Sequence, residues 1–290
     1  KRQRPSLLEL FREVTSGAAS DPCNARRFGR VLFAPGYGAG VALNNFAYEV
    51  LLAMYYRASF SLCAPPHTSN PWDTYFRDVG IPRCHRCGFD MERHRADWGD
   101  LSRLRSSVSR FWRADRIEDG LRFLHHHLFR PKLGIARAAS EFQAKFGLTT
   151  ASFIGVHIRH GDKYKEAAPV STGRYARAVR ELRETVRGAA VFLMSDDGDA
   201  FDDLRGALGP RVRVVQQRRL APSQYAARNG EYDNSTLWNF FVGLELLVRA
   251  DAFVGTGTSN VGRFVYLSRN RSEAAVSMDN GGSFLDPQFP

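Results

Sequence analysis

The strongest constraint on this chain is an alternation that begins at Phe153. Phe153-Ile-Gly-Val-His-Ile158 is a short apolar run bounded by polar residues, which reads as a strand buried on both faces. Ser171 then reads as the N-cap of a helix whose Tyr175, Ala178, Val179, Leu182 and Val186 share one face, closed by Gly188. Ala190–Met194 is the next strand and ends in Ser195-Asp196-Asp197; Phe201–Leu208 is a short helix and Val212–Val215 a strand. Leu237–Arg249 is an amphipathic helix, Ala252–Gly255 a strand, and Val261–Arg269 a helix entered through Gly-Thr-Gly-Thr-Ser-Asn. Strands and helices that take turns in this way predict a doubly wound parallel sheet.

The first half carries a weaker version of the pattern. Val31–Ala34 reads as a strand running into the turn Pro35-Gly-Tyr-Gly-Ala-Gly40, followed by a helix over Leu43–Arg57 and a strand at Phe60–Cys63. The segment 65–95 is loop-rich, and 98–146 reads as helices broken at Pro131. The expected architecture is therefore two Rossmann-like α/β domains facing across a cleft, divided as residues 1–148 and 149–290.

Composition removes several classes. The 290 residues are 43% hydrophobic and include 21 Phe and 10 Tyr, which excludes a disordered chain. No apolar stretch reaches the roughly 18 residues of a membrane span. The opening Lys-Arg-Gln-Arg-Pro has no apolar region of a signal peptide, so any membrane contact is expected through an anchor upstream of this sequence. The net charge of +11 is spread over several arginine-rich helices, suits any phosphate-bearing ligand, and comes with no nucleic-acid-binding signature; no nucleic acid partner is expected.

Four cysteines, Cys23, Cys63, Cys84 and Cys87, allow three pairings. Cys84-His-Arg-Cys87 has a spacing that serves zinc or redox chemistry, but a zinc site needs a second pair, so a structural disulfide ranks first and no metal is expected. The sequons Asn234-Ser-Thr and Asn270-Arg-Ser are compatible with a secretory location. His125-His-His127 lies on an expected helix and reads as solvated.

Ligands of an open α/β sheet bind beyond the carboxyl ends of its strands. Three polar loops fall there: Arg159–Lys163, Ser195–Asp197 and Thr256–Asn260. Arg159 and Lys163 suit phosphate oxygens. The amides of the last loop, the Ser259 hydroxyl and the following helix dipole make an anion site. Together they describe a diphosphate pocket of fixed positive groups, able to stabilise a leaving nucleotide without a metal. Gly36, Gly38 and Gly40 allow close backbone approach, but the third glycine comes one residue early for a dinucleotide fingerprint and no acid ends the second strand, which argues against a dehydrogenase.

Gly155-Val-His-Ile-Arg-His-Gly-Asp-Lys163, with Glu166-Ala-Ala168 and Tyr175, resembles the H-x-R-x-x-D-K…E-A-A…Y motif of the α1,6-fucosyltransferases, the family of the animal core N-glycan enzyme and the bacterial nodulation enzymes. Val191–Asp197 and Ala250–Arg263 resemble two further blocks of that family in the same order, and Gly36–Gly40, Trp72–Phe76 and Cys84 agree more loosely. The resemblance implies a GT-B-like fold and a metal-independent, inverting transfer of fucose from GDP-fucose to a glycan hydroxyl. It implies that Arg159 binds the β-phosphate, Ser259 with Thr258 the phosphates, and His157 the guanine. Asp162 and Tyr175 belong to the same substrate-binding motif. Lys163 and Glu166 would stand at the reacting end, with Glu166 as general base and Asp196 or Asp197 as the next candidates. It also implies a Cys23–Cys84 disulfide and a Golgi-lumenal setting.

The sequence departs from that family in four places. Glu166 follows Lys163 at an offset of three rather than the family's four, and His160 stands where the family has a second arginine. Gly243 falls at the family's guanine-reading aspartate, with Glu245 and Asn239 the nearest polar substitutes. The family's long N-terminal coiled coil and C-terminal SH3-like domain have no counterpart here, so a different acceptor is expected. The alternatives are the same fold with another nucleotide sugar, or a glycan- or nucleic-acid-binding protein without turnover.

Overall fold

The computed structural model describes residues 6–16, 39–56, 62–63, 75–81, 83–84, 114–148, 152–160, 168–187, 189–217, 234–270 and 274–285. They form two compact units that part at Arg130–Pro131.

The first unit holds helix α1 (Leu7–Ser16), the body of α2 (Ala39–Tyr56), the parallel pair β1 (Leu62–Cys63) and β2 (Arg83–Cys84), and α3 (Ala114–Leu128). Ser6 and Glu9 start α1 as a capping box: the Glu9 amide donates to the Ser6 hydroxyl at 3.2 Å while the Glu9 carboxylate accepts the Ser6 amide at 2.6 Å. Aromatic rings knit this unit, with Phe129 edge-on to Phe76 at 5.5 Å and to Phe46 at 6.4 Å. The histidine run corrects one expectation. His125 is buried against Phe129, and burial pushes its pKa down to about 3; His126 alone of the three is exposed. The strand expected at Val31–Ala34 lies outside the described residues.

The second unit is built on a parallel sheet whose five described strands are β3 (Phe153–Ile158), β4 (Ala190–Ser195), β5 (Val214–Gln216), β6 (Ala252–Gly255) and β7 (Ala275–Ser277). Their order is β5-β4-β3-β6-β7. All six residues of β3 and of β4 are buried, as strands covered on both faces must be. On one face Ile154, Val156, Val191 and Val254 pack with Tyr175 and Val179 of α5 (Thr172–Thr185) and Leu204 of α6 (Ala200–Leu208). The other face lies under α7 (Asn234–Arg249): a Cβ on Gly155 would stand 3.0 Å from Leu247, so the glycine sets how closely α7 approaches β3. Helix α4 (Leu133–Lys145) packs on α7 and ends at Gly147, whose φ of +58° turns the chain toward β3. Arg269, fully buried after α8 (Asn260–Ser268), donates to the carbonyls of Leu247, Ala250 and Asp251 and closes the end of α7.

Candidate active site

The strand order fixes where a ligand binds. From β3 the chain moves outward through β4 to β5, then returns through α7 to the opposite side of β3 and continues outward through β6 to β7. The direction reverses between β3 and β6, so the loops leaving those strands diverge and open a crevice at their carboxyl ends. Arg159 leaves one strand and Thr256–Ser259 the other.

Arg159 is held in place by the next strand over. Its guanidinium forms an ion pair with Asp196, which is 5% exposed and also accepts the His160 amide at 2.9 Å. The His160 ring bridges Asp197 Oδ2 and the Val170 carbonyl, each at 2.7 Å, and so ties three segments together. Asp197 carries the Asp199 amide as well. Partial burial opposes its ionisation, but that amide and His160 outweigh it and hold the carboxyl below its usual range. Both aspartates are therefore engaged by Arg159 and His160.

The turn after β6 is the most tightly packed part of the site. A Cβ on Gly257 would drive into the Ser283 carbonyl, and one on Gly262 into the Thr256 carbonyl; only glycine permits either approach. Gly257 and Thr258 donate their amides to Asp279 Oδ1 at 2.6 and 3.3 Å, and the Thr258 hydroxyl donates to the same carboxylate. Arg263 reaches back to the carbonyls of Gly257 and Thr258 at 2.7 and 3.4 Å. Ser259 is the N-cap of α8 by position, yet its hydroxyl makes no capping hydrogen bond. That hydroxyl is thus left out of the cap, whereas the amides of Gly257 and Thr258 are taken by Asp279.

A second row of side chains runs under α7. His157 of β3 is in register with Met194 of β4, and Gln217 follows β5. Gly243 roofs the row: a Cβ there would lie 2.8 Å from Gln217 Oε1 and 3.1 Å from the Met194 sulfur. His157 is neutral, its pKa pushed down to about 3 by burial and then by Arg159, and its Nδ1 has no hydrogen-bond partner among the described residues. The row thus sets a neutral imidazole and a carboxamide at the two strands that flank β4.

Many solved structures resemble the chain, three NodZ structures among them. A NodZ α1,6-fucosyltransferase soaked with GDP-fucose matches with a TM-score of 0.56 at 17% identity, covering 88% of this chain and 95% of that one. The fucosyltransferase NodZ from Bradyrhizobium matches with a TM-score of 0.56 at 17% identity over 89% and 96%, and NodZ co-crystallised with GDP with 0.53 at 16% over 88% and 94%. The chain has the NodZ fold. No protein-family model matches it, and neither does any curated protein. The GT-B-like class and the fucosyltransferase resemblance read from the sequence agree with this likeness to NodZ.

Within the NodZ-like fold the expected site residues fall into three groups. Arg159, Asp196, Asp197, Thr258 and Ser259 lie at the carboxyl ends of the strands, with His157 one residue below Ile158. Tyr175 backs the turn after β6 from α5, and Glu245 lies in the contact between α7 and α4. Tyr175 is fully buried on α5, its hydroxyl facing Thr256 and Asp279, and burial raises its pKa. Glu245 is paired with Arg249 at 2.7 Å, and Arg249 in turn bonds the Ala136 carbonyl, Ser140 and Gln143 on α4, so the pair serves helix packing. Gly36, Gly38, Asp162, Lys163 and Glu166 lie outside the described residues, as does Cys23 of the expected disulfide; Gly40 is in the first turn of α2. Asp279 and Gln217 had no sequence signal, since neither sits in a recognisable motif. Among the described residues no three His, Cys, Asp or Glu side chains gather around a metal-sized space.

Proposed function

We propose that the chain is an inverting, metal-independent glycosyltransferase that takes fucose from GDP-fucose and places it on a glycan hydroxyl. The observation that carries this is the crevice at the β3/β6 reversal, where Arg159, fixed by Asp196, stands opposite the uncapped Ser259 hydroxyl and the N-terminus of α8. Fixed donors on both sides suit a diphosphate that gains charge as it leaves. The likeness to NodZ, which has been soaked with GDP-fucose and co-crystallised with GDP, supports that donor.

In this reading Arg159 neutralises the β-phosphate and Ser259 donates to a phosphate oxygen. Lys163 adds charge as the bond from fucose C1 to the β-phosphate oxygen breaks. Glu166 takes the proton of the acceptor hydroxyl, whose oxygen attacks C1 from the face opposite the departing GDP. Asp196 and Asp197 hold Arg159 and His160 rather than move protons. Neutral His157 contacts the nucleobase. The exposed Asn270 of the second sequon suits a secretory-pathway, Golgi-lumenal setting. One observation favours a second reading: Gln217, a carboxamide, fills the space against Gly243 where a guanine-reading carboxylate is expected, which suits another base.

Calorimetry of GDP, UDP, ADP and CDP in EDTA tests both. Selective GDP binding that Arg159→Ala weakens about 30-fold or more supports the donor site, that being the worth of a charge-assisted phosphate contact. Selective UDP binding replaces the donor, and binding of none of the four removes the proposal. Transfer lost in EDTA and restored by Mn²⁺ removes metal independence.

A further inference from the structure

The turn that enters α8 is gripped from both sides, and the grip originates in an element outside the β3–α5 and β6–α8 loops. Asp279 follows β7, and its carboxylate collects the Gly257 amide, the Thr258 amide and the Thr258 hydroxyl. The Ser277 hydroxyl lies 3.1 Å from the same Gly257 amide and donates to the Asp279 carbonyl at 2.9 Å. Asp279 is itself held: Met278 donates its amide to the Gly255 carbonyl at 2.8 Å, and Arg174 of α5 donates to the Met278 carbonyl at 3.0 Å. Behind it stands the buried Tyr175 hydroxyl.

A carboxylate this close to an anion seat repels the anion it faces. Its placement there, with four donors converging on it, needs a compensating gain. We infer that Asp279 is a positioning residue for the donor's phosphates, an inference that rests on the donor reading above. By taking the amides of Gly257 and Thr258 while Arg263 takes their carbonyls, it fixes the turn. The start of α8, with the Ser259 hydroxyl, is thereby held at the strand end beside that of Arg159. Order gained in the free protein is order the diphosphate does not have to impose.

Two substitutions separate geometry from charge. Asp279→Ala removes every bond; Asp279→Asn keeps an oxygen for the two amides and offers its amide group to the Thr258 oxygen. In the ligand-free protein, hydrogen exchange at Gly257 and Thr258 is expected to speed up in the alanine variant and to stay at the parental rate in the asparagine variant. GDP, read by calorimetry, is expected to bind at least tenfold more weakly to the alanine variant and at least as tightly as the parent to the asparagine variant. Ser277→Ala, which leaves the carboxylate in place, weakens GDP about threefold and serves if the Asp279→Ala protein does not fold. Parental GDP affinity in Asp279→Ala, or equal weakening in both Asp279 variants, overturns the inference while leaving the donor site intact. A parent that binds no GDP overturns the donor site and the inference with it.

Discussion

Asp196→Asn is the substitution on which the assignment of roles turns. The change keeps shape and keeps an oxygen for the His160 amide, but removes the charge that holds Arg159. Asp196 is 5% exposed and the Arg159 side chain 30%, so the pair is neither a surface contact nor a fully buried one. A charge-assisted hydrogen bond of about 1.5–3 kcal/mol, discounted for solvent at the guanidinium, leaves about 1–2 kcal/mol. If that ordering is what Arg159 brings to the diphosphate, KM for GDP-fucose rises about tenfold and kcat stays within about threefold. A general base removed from the reaction instead costs about 10²–10⁴ in kcat. Steady-state release of GDP, with donor varied, separates the two by more than an order of magnitude. A hundredfold fall in kcat at unchanged KM refutes the positioning role and returns Asp196 to the chemistry.

Gly262→Ala forces its Cβ into the Thr256 carbonyl and so pushes the start of α8 away from the turn. GDP affinity is expected to fall tenfold or more, with a lowered thermal midpoint, by calorimetry and thermal unfolding. Acid sensitivity follows from His125. Its folded pKa of about 3 lies below the ordinary 6.5, so the unfolded chain binds the extra proton between those values and stability falls as pH drops below about 6.5. From pH 7 to 5 that amounts to about 2 kcal/mol from this residue. His125→Leu flattens the urea midpoint against pH across that window; an unchanged slope means the ring is not held neutral.

The parts of this molecule legible in the sequence are those whose cause is local. Phe153–Ile158 declares itself because both faces of a central strand are buried, and the polar loops after β3, β4 and β6 then fall at one edge by topology alone. What escapes is pairing across distance. Glu245 and Arg249 have the i,i+4 spacing of a local helix pair, but nothing in the sequence shows that Arg249 also meets Ala136, 113 positions away, and so commits the pair to packing α7 on α4. β7 has three residues in a stretch rich in Ser, Asn and Gly, too short to show a period, so the segment that carries Asp279 shows no element in the sequence. His125 reads as solvated because two more histidines follow it, and only the packing of α3 distinguishes the one that faces Phe129.

The brevity of β7 has a consequence for handling the protein. Both outermost described strands, β5 and β7, have only three residues, so neither offers a row of open amides and carbonyls long enough for another chain to pair with. The wholly apolar β6 lies directly inside β7, and the amides of Phe253 on Ala274 and of Met278 on Gly255 help seal this side of it. A chain cut before Ala275 bares β6 as a sticky border and frees the Gly257 and Thr258 amides in the same stroke. Self-association and failure to hold a nucleotide then arrive together, as one defect with two symptoms.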